Sequence, residues 1–311
     1  MSHVAEQRWP TWTPGRGAGG WWKASPAEFS VVEIPSGTPD GDGEHQWLWI
    51  EKTGCTTAEV ADWLAYAAGV RRSDVGYAGL KDRDARTEQA FTIMGGRPPE
   101  GAPGGVRILR QTRTRHKLRV GSLAGNRFSL LVRGANPGVL RERVRLVSAS
   151  GFPNYYGVQR LSGGAPERGR DLLLGRRLRL DHAEVKFALS AYQSLLFNTV
   201  LARRGSRRLL GDLLDDGAPT GPIYGHQMPW PDGAALALER AVLAEERLPP
   251  DAWTAFPDLT RGTRRRLRVD TAVTLSEEAE GHRLEFSLPA GSYATVLLEE
   301  LLGGDRADQM G

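Results

Sequence analysis

The run Val75-Gly76-Tyr77-Ala78-Gly79-Leu80-Lys81-Asp82-Arg83 delivers a carboxylate, flanked by two cations, into a glycine-bounded turn. A solvated surface turn rarely needs that arrangement, whereas a carboxylate acting as nucleophile or base does. Three other segments carry residue types suited to chemistry: Lys23 ahead of Phe29-Ser30-Val31-Val32-Glu33-Ile34, the turn Gly125-Asn126-Arg127-Phe128, and Asn154-Tyr155-Tyr156-Gly157-Val158-Gln159-Arg160. Taken singly, each has an ordinary structural explanation. Lys23 reads as an exposed charge, Asn126 as a turn residue, Phe128 as a core aromatic and Tyr155 to Arg160 as a packed connector. Only Asp82 resists that treatment.

Other motifs fail on context. Gly15, Gly17 and Gly20 satisfy G-x-G-x-x-G, but no strand precedes them and tryptophans follow, so a dinucleotide site is excluded. Asp82-x-Asp84 resembles the paired aspartates of some phosphotransferases, yet the threonine comes one position late, and Asp84 reads as a surface residue. The six histidines show no ligand spacing, so no metal is expected. A single cysteine, Cys55, excludes a disulfide framework and fits a reducing compartment. With no apolar leader and no run of roughly 20 apolar residues, the chain is expected to be soluble and cytoplasmic, with no membrane partner.

Of 41 basic residues five are lysine, which leaves 36 arginines against a net charge of only +4. The clusters Arg107, Arg110, Arg113, Arg115 and Arg119, and Arg264, Arg265, Arg266 and Arg268, fit either nucleic-acid phosphates or a solvated face.

The elements that must position these residues follow from pattern. Residues 1–20 read as a flexible arm. Strands are predicted at Phe29–Ile34, Gln46–Ile50, Gln89–Met94, His116–Val120 and Phe128–Val132. A capping box at Thr56 and Glu59 opens a helix that Gly69 closes, and a second helix is expected at Arg141–Ser150. Asp181 and Glu184 cap a long helix that ends at Arg203, Arg204 and Gly205. From Leu209 to about Pro257 the chain turns loop-rich, with a short helix near Ala234–Glu246, and reads as an insertion. Strands return at Leu267–Val269, Thr271–Leu275 and Arg283–Phe286, before a last helix to Leu302. The layout is α+β, a mixed and largely antiparallel sheet flanked by helices.

Together these motifs resemble the TruD pseudouridine synthases, from about Trp22 to Leu302. The likeness also takes in Pro39-Asp40-Gly41-Asp42-Gly43-Glu44-His45, Ser190 to Asn198, Thr220-Gly221-Pro222 with Gly225, and Leu288-Pro289-Ala290-Gly291-Ser292-Tyr293-Ala294-Thr295. The resemblance implies a catalytic domain in two parts, 21–154 and 259–311, with an inserted α/β TRUD domain at 155–258. It implies an isomerase that converts a tRNA uridine, that at position 13, to pseudouridine, with no cofactor and no obligate protein partner. Asp82 matches the family's catalytic aspartate, Lys23 the basic residue that pairs with it, Phe128 the aromatic stacked on the target base, and Asn126 the polar residue beside it. Lys81 and Arg83 are then left to RNA phosphate or to the loop itself, and Tyr155 and Arg160 join the expected substrate-binding set. The competing expectation is a catalytically silent tRNA chaperone of the same fold.

Overall fold

The computed structural model describes residues 8–22 and 25–303, and divides into two compact units. One, the sheet unit, comprises Arg16–Ala149, Thr271–Gly291 and Leu301–Gly311. The other, the helical unit, comprises Met1–Gly15, Ser150–Asp270 and Ser292–Glu300. In chain order the first elements are β1 (Trp21–Trp22), β2 (Phe29–Pro35), β3 (His45–Lys52), α1 (Thr57–Ala68), β4 (Val75–Tyr77), β5 (Arg86–Met94), β6 (Val106–Thr114), β7 (Leu123–Arg133) and α2 (Pro137–Ser150). Next come β8 (Phe152–Pro153), α3 (Val158–Leu161), α4 (Ala165–Leu173), α5 (His182–Arg204), β9 (Leu214–Asp215), β10 (Ala218–Ile223), α6 (Gly233–Glu245), β11 (Thr263–Arg266) and β12 (Arg268–Val269). The chain closes with β13 (Val273–Glu278), β14 (Gly281–Pro289) and α7 (Ala294–Leu302).

The sheet unit is built on one sheet in the order β13-β14-β7-β2-β5-β3-β6, with β1 added to β7 and β4 to β5. Among the described residues only β2 and β5 run parallel, so the sheet is mixed and largely antiparallel, as expected. Alternate residues of a strand share a face. Leu48, Ile50, Phe91 and Ile93 therefore project together and pack with Val60, Ala61 and Leu64 of α1. The predicted cap of α1 is present in full: Thr56 and Glu59 bond reciprocally, and Gly69 takes the left-handed conformation at φ 70° that a residue with a Cβ resists.

Several elements differ from the expectation: β7 starts at Leu123 and takes in Asn126, read as a turn residue, and β10 and β11 pair where no strand is expected. His116–Val120 is a loop, and the strand lies upstream at β6. The register of β6 slips between Trp49 and Ile50, with Leu109 the extra residue, and this bulge breaks the two-residue alternation. In the helical unit, α4 escapes sequence reading because Gly169 interrupts its pattern. A Cβ at Gly169 would meet the Ala188 carbonyl oxygen at 2.1 Å, so glycine is what lets α4 press against α5. The long helix α5 carries both halves of its predicted Asp181–Glu184 cap and supplies Leu189, Tyr192, Leu196 and Val200 to the core of this unit.

Residues 8–20, read as a flexible arm, are tied down. The Trp12 and Thr13 N–H groups donate to the Glu300 carboxylate at 2.8 and 2.9 Å. Ala18 and Gly19 donate to the carbonyls of Leu301 and Leu302 at 3.1 and 2.8 Å. Among the described residues no helix is long and apolar enough to cross a membrane.

Candidate active site

The loop from Ala78 to Ala85 joins β4 to β5 and presents Asp82 with its side chain exposed. Its backbone is held from below by buried polar groups. Gln89, fully buried, donates from Nε2 to the Gly79 carbonyl at 3.0 Å. The Lys81 N–H donates to Thr57 Oγ1 at 2.9 Å, and that hydroxyl donates to Gln89 Oε1 at 2.8 Å. Lys52, also fully buried, donates from Nζ to the carbonyls of Cys55 and Asp82, both at 2.7 Å. Burial pushes the Lys52 pKa down, opposed by its attraction to Cys55 and Asp82. No hydrogen bond within the described residues holds the Asp82 carboxylate itself, which leaves it open to a ligand.

The two cations beside Asp82 are both engaged in holding this loop. Lys81 Nζ pairs with Glu33 Oε2 at 3.1 Å, with side chains only 4% and 1% exposed. Arg83 pairs with Glu59 at 2.6 Å and donates to the Gly54 carbonyl at 3.3 Å, tying the loop to the start of α1. Of the two roles open to them from sequence, the loop itself is the one with contacts in this structure.

Strand register places Asn126 and Phe128 on the same face as these supports. Phe286, Phe128, Val31, Thr87 and Lys52 form one row across the sheet, and Leu288, Asn126 and Glu33 the next. Phe128 is three strand spacings from Lys52, roughly 14 Å. Its ring is 8% exposed and stacks between Phe29 at 6.4 Å and Phe286 at 5.2 Å. Within these two rows, two buried polar atoms lack partners among the described residues, Thr87 Oγ1 and Asn126 Oδ1. Such atoms are uncommon, and here they mark the rows under the Asp82 loop. Lys23 lies outside the described residues.

Tyr155 and Arg160 belong to the helical unit and are bound into it. Tyr155 is 3% exposed and stacks on Trp9 at 5.6 Å. Burial pushes its phenol pKa up, first among causes. Arg160 donates to Ser190 Oγ at 2.8 Å and lies over the Phe187 ring. The second arginine cluster is likewise committed: Arg264 forks onto Glu239 at 2.8 and 2.7 Å, Arg265 stacks over Tyr156 at 4.2 Å, and Arg266 bridges Asp215 and Asp216. The contacts of Arg264 and Arg265 serve the fold of the unit, while Arg266 and Arg268 stay 40% and 46% exposed at their side chains in surface pairs with Asp215, Asp216 and Asp270.

Sequence reasoning missed Lys52, Glu33, Thr57 and Gln89 as supports. Alternation in β2, β3 and β5 could have flagged Glu33, Lys52 and Gln89, as polar residues at positions due to be buried; Thr57 carried no such signal.

The family model described as tRNA pseudouridine synthase D (TruD) matches residues 11–168 and 214–301 of the chain. The chain belongs to the TruD family. Among its TruD relatives, a protein called tRNA pseudouridine synthase D from Anaeromyxobacter sp. (strain Fw109-5) is 37% identical, with 92% of this chain and 93% of the relative covered. Another of that name, from Methylococcus capsulatus, is 38% identical over 91% of this chain and 91% of its own. The crystal structure of the putative tRNA pseudouridine synthase D (TruD) from Methanosarcina mazei superposes with a TM-score of 0.72 at 18% identity, covering 98% of both chains. It shares the TruD fold described above.

Proposed function

We propose that this TruD protein isomerises a uridine of tRNA to pseudouridine, that the uridine is the one at position 13, and that Asp82 is the catalytic group. The observation that carries the assignment is the exposed Asp82 carboxylate on a loop whose backbone is fixed by Lys52, Thr57, Gln89 and the Lys81–Glu33 pair. Exchanging a carbon–nitrogen for a carbon–carbon glycosidic bond leaves the atom count unchanged. One positioned carboxylate, acting as nucleophile or base, meets that need without net redox chemistry or hydrolysis. A fixed backbone with an exposed side chain suits a group that must meet a ribose or base arriving from solvent. Lys23 is proposed as the cation paired with Asp82, with Lys52 supplying further positive charge from beneath. Phe128 and Asn126 are proposed to face the uracil, and the reaction is placed in the cytoplasm.

The test uses unmodified tRNA with the protein and its Asp82→Ala variant, and pseudouridine mapped by carbodiimide treatment and primer extension. Product at position 13 is expected from the unaltered protein, with the variant slower by at least about 100-fold. Equal product from both removes Asp82 from the chemistry. Product at another position removes the site assignment, and none from either protein favours the silent chaperone.

A further inference from the structure

Leu80 is 72% exposed and stands two residues before Asp82, in a loop that the fold holds rigid on both sides of it. The peptide before it is fixed by the bond from Gln89 to the Gly79 carbonyl, and the one after by the bond from the Lys81 N–H to Thr57. Leu80 therefore cannot turn inward without breaking buried hydrogen bonds. Val120 is 71% exposed on a neighbouring segment, joined to this loop by the Gly121 N–H to Ala78 carbonyl bond at 2.8 Å. Leu80 is thus held in water two residues from the candidate catalytic carboxylate, with Val120 exposed on the segment bonded to the same loop at Ala78, where folding gains little from either.

The chemistry of the site names the occupant. A uridine inside stacked RNA must leave the stack before a carboxylate reaches its glycosidic bond, and the vacated space has to be filled. Apolar side chains inserted between bases are a recurring solution. Exposed Arg119, adjacent to Val120, favours a polyanion over an apolar protein surface. We propose that Leu80 is a wedge that enters the RNA stack in place of the uridine on which Asp82 acts. This rests on the proposed function, and it adds a substrate contact that comes from neither the carboxylate nor the aromatic row.

Leu80→Ala tests the wedge, because so exposed a side chain contributes little to folding. Two tRNAs are compared: the unmodified molecule, and one with an abasic nucleotide beside the target so that the uridine is already unstacked. On the unmodified tRNA the variant should lose roughly 10- to 100-fold in kcat/KM, the rate equivalent of part of an unstacking cost. It should come within about 3-fold of the unaltered protein on the abasic substrate, while Leu80→Met stays near normal on both. Equal rates for the variant and the unaltered protein on unmodified tRNA overturn the wedge. So does an equal loss on both substrates, which would mean a damaged loop. A 2-aminopurine beside the target gives a readout independent of turnover: Asp82→Ala should brighten it on binding, and the Asp82→Ala/Leu80→Ala double variant should not. Brightening by both refutes the wedge while leaving the catalytic assignment standing. Absence of product from the unaltered protein on either tRNA instead defeats the proposed function and the wedge with it.

Discussion

Replacing Lys81 with methionine separates a loop support from an RNA contact. The substitution keeps the apolar stem and removes the ammonium that lies 3.1 Å from Glu33. At that distance and an effective dielectric near 20 the pair attracts by about 5 kcal/mol before desolvation is subtracted. Removing one partner of a pair this buried strands the other. Glu33, 1% exposed at its side chain, would keep only the Ala90 N–H at 3.3 Å as a donor among the described residues. The expected loss of stability is about 3–5 kcal/mol, and the Glu33→Gln/Lys81→Met double variant should recover most of it. Urea unfolding followed by far-ultraviolet circular dichroism reports on stability, and single-turnover pseudouridine formation on the loop. Lys81→Met should slow turnover at saturating tRNA, since the loop bearing Asp82 loses an anchor. The reasoning fails if Lys81→Met shifts stability by less than about 1 kcal/mol and instead weakens tRNA binding with a shallower salt dependence, the signature of a phosphate contact.

Two further substitutions probe the arginines and the buried lysine. Arg264→Ala should destabilise the helical unit by about 3–5 kcal/mol, because Glu239 is left 1% exposed without its fork, and should leave the salt dependence of tRNA binding unchanged. A salt slope reduced by about one with stability intact would return Arg264 to the phosphate contacts. Burial holds the Lys52 pKa below its ordinary value of 10.5, so between the folded and unfolded values the unfolded chain binds more protons and stability rises with pH. Lys52→Met should flatten that rise, measured as the difference in unfolding free energy between variant and unaltered protein as pH approaches 10.5; identical slopes would mean that Lys52 is not desolvated in solution.

What could be read from sequence was what is decided locally. Both capping boxes, Thr56 with Glu59 and Asp181 with Glu184, need residues only three apart, and both are present. Family motifs singled out Asn126 and Phe128, but the strand expected from pattern begins only at Phe128, and Asn126, read as a turn residue, lies inside β7 on the same face. The supports of the Asp82 loop were not legible because their partners are distant: Lys52 reaches Asp82 across 30 residues and Lys81 reaches Glu33 across 48. The same holds for the run Arg264 to Arg266. As a string it is a charge cluster, and only folding brings Glu239, Asp215 and Asp216 to it. β6 was lost for the opposite reason, a local defect at Leu109 that spoils its period.

That defect has a further consequence. β6 closes one side of the sheet order, and a strand in that place offers unpaired backbone groups to any other extended chain. Here the bulge at Leu109 interrupts the row, the Gly41 N–H covers the Arg113 carbonyl at 3.0 Å, and exposed Arg107, Arg110 and Arg113 line the strand. Bulges, covered backbone groups and edge charges of this kind are what keep sheet edges from joining, so the β6 arginines have a reason to be there that requires no RNA.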